Sequence, residues 1–129
     1  MERKNNTIKK TKKENIEEKI KDLTENIREI LFLFISENFI DLKKVELQGD
    51  LESNIRQKIE DSIKDKYQNL NENFSEMRKA GTDMGVLNFK LMMVPLKIKV
   101  FLATYNKKDA ENVIARIKEI ENEIGKIKT

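Results

Sequence analysis

From Glu14 onward, apolar residues recur at helical spacing. Ile16, Ile20, Leu23, Ile27, Ile30 and Phe34 are separated by alternating steps of four and three, which is the seam of a heptad pattern. Leu31, Ile35, Phe39 and Leu42 then take over with the same steps, so the stripe rotates, and the run Ile30 to Ile35 is apolar on every face. Such a run is expected to be buried all round. The pattern predicts a first helix over residues 14–47. Gly49 is placed to take a left-handed conformation, and Asp50 can cap the next helix. Leu51, Ile55, Ile59, Ile63, Tyr67, Leu70, Phe74 and Met77 predict a second, amphipathic helix from Asp50 to about Lys79. A short Gly-containing connection turns the two back on each other as a long antiparallel hairpin, with Ser36 to Asn38 as the place where the first helix can break.

Ala80-Gly81-Thr82-Asp83 is the second punctuation point, with Gly81 ending one helix and Thr82 or Asp83 capping the next. The segment that follows supports two periods. As a helix it places Leu87, Leu91, Val94, Ile98, Phe101 and Tyr105 on one face and Phe89, Met93, Leu96 and Val100 on the opposite one, with Lys90 and Lys97 between. As strands, 87–91 and 96–100 both alternate strictly. No hairpin turn residues separate those two runs, and Pro95 suits the first position of a new helical segment after a kink at Val94. A Pro-kinked helix is therefore expected. Its two apolar faces place it in the middle of the fold, with lysine heads reaching out between neighbours. After Tyr105, Asn106 or Asp109 can cap a C-terminal amphipathic helix carrying Ala110, Val113, Ile117, Ile120, Ile124 and Ile127. The sum is an all-α helical bundle, a single domain over residues 14–129 preceded by a tail, residues 1–13.

Charge changes this picture at one place. The 129 residues carry a net charge of +3, but residues 1–13 hold Arg3, Lys4, Lys9, Lys10, Lys12 and Lys13 against Glu2 alone. The basic character therefore belongs to a tail with one apolar residue, Ile8, which cannot bury surface and is expected to be disordered. The tail reads as a solvated terminus or as an electrostatic arm for nucleic acid, an anionic membrane or an acidic partner. The start of the chain has no apolar stretch of signal-peptide length, and no Cys is present, so a cytoplasmic location is expected. The most apolar stretches, 30–35 and 84–105, are too short or too interrupted by Lys and Pro to serve as membrane spans.

With no Cys and no His, thiol and imidazole nucleophiles, zinc fingers and Glu-x-x-His di-iron sites are excluded. The acidic pairs Glu14/Glu17 and Asp22/Glu25 lie off the apolar stripe and have no matching pair later in the chain, so no metal, cofactor or catalytic residue is assigned. Gly81-Thr82-Asp83-Met84-Gly85 resembles an anion-binding helix start only loosely, matching no phosphate-loop spacing. Lys90, Met92, Met93, Lys97 and Lys99, a Met-rich and Lys-bordered stretch, are the candidate partner-facing residues, suited to an acidic helix. These features lead to the expectation of a non-enzymatic helical interaction or assembly protein, either a homo-oligomer or the subunit of a protein partner. Weak nucleic-acid association through the tail is the alternative, and a small carboxylate-metal or phosphate-binding enzyme a weaker one.

Overall fold

The computed structural model describes residues 18–45 and 49–128, and the basic segment 1–13 lies outside them. The chain is all-α, 82% helical. Among the described residues, four α-helices are bounded: α1, Glu25–Ser36; α2, Leu51–Lys79; α3, Gly85–Thr104; and α4, Lys107–Lys128. A short 3-10 helix, Leu42–Lys44, lies between α1 and α2. The residues gather into two compact units that divide after Ile59, within α2.

In the first unit the expected helix over 14–47 is not continuous: it stops after Ser36, in the stretch Ser36 to Asn38 that the sequence offers as a break, and it is also interrupted earlier. A helical turn at residues 18–20 ends where Asp22 and Leu23 donate to the carbonyls of Lys19 and Ile20. Thr24 then caps α1, its hydroxyl accepting from the Ile27 N–H at 3.4 Å. α1 stops at Ser36 because Asn38 takes a left-handed conformation, φ 63°. Asn38 N–H reaches the Ile35 carbonyl and Phe39 N–H reaches that of Phe34, the paired bonds of a Schellman stop. Its apolar clasp is also present: the Phe34 and Phe39 rings meet edge to face at 5.6 Å. Asp41 caps the 3-10 helix through Lys43 N–H. The breaks leave the seam intact, since Ile20, Leu23, Ile27, Ile30 and Phe34 are all buried, as are Ile55 and Ile59 of α2.

α2 begins where the sequence places it. Gly49 has φ 72°, and Asp50 accepts from Ser53 N–H at 3.0 Å through its carboxylate while its carbonyl takes the Asn54 N–H. The hydrogen bonds from Ser53 hold the Asp50 carboxyl below its ordinary value.

The second unit contains the rest of α2 with α3 and α4. α2 ends in a second Schellman stop: Gly81, φ 80°, donates to Arg78 and Thr82 donates to Met77. α3 is helix rather than strand, and runs unbroken from Gly85 through Pro95 to Thr104 instead of restarting at Pro95. Tyr105 is left-handed at φ 49° with its ring stacked on Phe101 at 4.8 Å. Asn106 then caps α4 by accepting from Asp109 N–H at 2.8 Å. This two-residue connection makes α3 and α4 an antiparallel pair packed along their length, crossed by the ion pair Lys90–Glu119 at 3.4 Å. Lys66 meets Glu121 at 3.5 Å, and Arg78 donates to Asn88 at 2.7 Å. The order is therefore up, down, up: α4 runs parallel to α2 and α3 opposes both. Ile63, Leu70, Phe74, Leu91, Val94, Phe101, Val113, Ile117 and Ile120 are buried in this unit.

The Asp50 cap is directly testable. Its folded-state pKa is depressed, so its contribution is complete above the ordinary value and is lost as pH falls through the lowered one. Asp50→Ala is expected to lower the melting temperature by roughly 2–6 °C at neutral pH. The gap should narrow as pH falls below the ordinary carboxylate range and through the lowered Asp50 value, as followed by circular dichroism of both proteins.

Candidate protein-interaction surface

α3 is a helix with two apolar faces. At 3.6 residues per turn, Leu87, Leu91, Val94 and Phe101 fall on one side and are buried. Val86, Phe89, Met93, Leu96 and Val100 fall on the other, in steps of three, four, three and four. That outer side is open: Val86 is 75% exposed, Phe89 65%, Met92 67%, Leu96 55% and Val100 44%. The expectation that both faces of this element are covered within the fold therefore fails for the outer one. Packing against α2 and α4 consumes only half of the helix's circumference.

Each predicted partner-facing residue now has a place. Met92 is exposed and Met93 half-buried, both on or beside the outer stripe. Lys90 and Lys97 lie along its α4-side edge, half-buried, and Lys99 stands exposed on the far edge. Lys90 is held by Glu119, which Arg116 also meets at 3.2 Å. Lys97 lines two shallow concavities between α3 and α4. One, of about 150 Å³, is bounded by Met93, Leu96, Val100, Asp109 and Asn112; the other, of about 190 Å³, by Asn112, Ala115, Arg116 and Glu119. Asp109 also accepts from the Thr104 hydroxyl at 2.5 Å. The structure thus brings the lysines and methionines together around one seam, and adds Val86, Phe89, Leu96 and Val100. Three of these four were visible in the sequence as a second face, although that face was expected to be core. Val86 gave no signal, lying at the very start of the helix. Of the other phenylalanines, Phe32 is exposed, whereas Phe34, Phe39, Phe74 and Phe101 are buried.

The alternative sites are geometrically poor. In the turn from α2 to α3, the Asp83 carboxylate accepts from Gly85 N–H at 3.1 Å, so the chain's own carboxylate occupies an amide that an external anion would need. The α3 N-cap position itself is Met84, with no side-chain hydrogen bond. Asp22 and Glu25 are exposed, and Glu14 and Glu17 lie outside the described residues. Among the described residues no three carboxylates come together in a way that could hold a metal ion, and no helix is long and apolar enough to cross a membrane. Protein-family models, curated proteins and solved structures were all compared with this chain, and none matches it.

A face that does not hold the fold together can be altered without unfolding it. Phe89→Gln and Leu96→Gln should each change unfolding free energy by no more than about 0.5 kcal/mol. Leu91→Ala, one helical face away, should cost about 2–5 kcal/mol. Urea unfolding of the three variants beside the native chain measures the contrast.

Proposed function

We propose that the protein is a non-enzymatic interaction module whose working surface is the outer face of α3. A single observation carries this reading: a heptad stripe of large apolar side chains, all exposed except the half-buried Met93, lies on a helix whose opposite face is core. Isolated exposed apolar residues are ordinary on protein surfaces. A contiguous stripe rimmed by charge is not, and such patches commonly mark protein-binding sites. The alternation of three and four is the pattern by which one helix seats its side chains between those of another. The bordering lysines keep the stripe soluble when it is uncovered and add orientation when it is covered.

A photo-crosslinking residue placed at Met92 of the full chain, in cells that make it, is expected to yield discrete adducts. The same residue at Glu72, on an exposed polar stretch of α2, should yield none. Equal labelling from both positions, or from neither, would remove the outer face of α3 as the working surface. A second reading rests on the six cations against one carboxylate in residues 1–13, which suit weak, non-specific nucleic-acid attachment. Binding of mixed-sequence DNA that falls steeply with salt, and disappears when 1–13 are deleted, is its expected signature.

A further inference from the structure

The outer face of α3 carries information about its occupant as well as its existence. In heptad terms, Val86, Phe89, Met93, Leu96 and Val100 are the seam, Lys90 and Lys97 follow it on one flank, and Lys99 precedes it on the other. Between Gly85 and Thr104 there are three lysines and no Asp or Glu. Lys90 is paired with Glu119, whereas among the described residues Lys97 and Lys99 form no ion pair. From Val86 to Val100 the seam is about 21 Å long, the reach of four turns of helix. The concavity beside it, bounded by Met93, Leu96, Lys97, Val100, Asp109 and Asn112, offers a socket for side chains of a helix laid along the α3–α4 groove.

Resting on the reading of α3 as an interaction surface, we infer that its occupant is an amphipathic helix of another protein. That helix presents an apolar stripe flanked by Asp and Glu, and docks as a fourth helix against the second unit. Charge decides between candidates. A second copy of α3 brings no carboxylate of its own in either direction, and in antiparallel order it sets Lys90 opposite the other copy's Lys97. Residues 1–13 of the chain bring six further cations. An anionic membrane and an acidic-flanked helix both meet Lys97 and Lys99 favourably and both meet Asp109 and Glu119 on the α4 side; the helix is favoured because its side chains can enter the concavity between α3 and α4, which a lipid surface cannot do. A helix with acidic flanks satisfies the seam and the unpaired lysines together, and like-charged flanks exclude other amphipathic helices.

The test uses the full chain and two labelled helical peptides of about 21 residues, three heptads. Both carry Leu at the seam positions; one has Glu at the flanks and its sister has Lys. Fluorescence anisotropy should show the Glu peptide binding roughly tenfold or more tighter than the Lys peptide in about 50 mM salt, with the gap narrowing by about 500 mM. In Lys97→Glu/Lys99→Glu the preference should invert. Phe89→Gln/Leu96→Gln, which leaves charge unchanged, should abolish binding while the melting curve stays native-like. Equal affinity for the two peptides overturns the acidic partner. So does a Glu peptide that binds the Gln variant undiminished, because the tail lysines are then the attraction. Sedimentation showing a dimer that only the Gln variant loses, or phosphatidylserine vesicles captured in the same way, replaces the acidic helix while preserving the face as an interaction surface. No difference between native and Gln variant in any of these assays removes both readings.

Discussion

The architecture of the second unit follows from the closure of α3 against α4. The connection is two residues long. Tyr105 turns the chain in a left-handed conformation while stacking on Phe101, and Asn106 caps the return helix. A connection that short leaves the two helices no option but to lie antiparallel, which decides which half of α3 is covered. Leu87, Leu91, Val94 and Phe101 go inward together with Ile117 and Ile120, and Lys90 is carried to Glu119. The opposite half of α3 is left in solvent by the same act. The core and the candidate surface are thus two consequences of one hairpin.

Helix ends elsewhere are set by short-range hydrogen bonding that does not disturb the long-range seam. Asn38 and Gly81 both close their helices through paired Schellman bonds, yet only the glycine announces itself readily in a sequence. Asparagine tolerates the left-handed region at small cost, and the Phe34–Phe39 contact adds apolar burial to the stop. Ile20, Leu23, Ile27, Ile30 and Phe34 nevertheless hold one buried stripe across the interruption at residues 21–24. Packing responds to where side chains fall in space, and a tight turn that preserves that placement is compatible with the same heptad arithmetic.

The amide at the start of α3 is already taken by Asp83. With neither Cys nor His in the chain, thiol and imidazole chemistry is excluded, while recognition can still draw on shape, apolar area and charge. The outer face of α3 supplies all three within one helix: a seam of bulky side chains, a groove shared with α4 and lysines on both borders.

Much of this was legible in the residues. All-helical character, the extents of α2 and α4, the caps at Asp50 and Asn106, and the two apolar faces of α3 all follow from local spacing. Side-chain period and cap chemistry are properties of consecutive residues, so they need no partner to be read. Tertiary structure decided the rest. The sequence offers Ser36 to Asn38 as a possible break, but that the helix does stop there, at Asn38, rests on Phe39 finding Phe34. The unbroken passage of α3 through Pro95 sacrifices a single N–H donation toward Leu91, a loss that packing against a neighbouring helix can offset. Above all, the choice of which face of α3 is core and which is open could not come from the pattern, because both faces are equally apolar. Only the position of α4 distinguishes them, and that position belongs to the assembled fold.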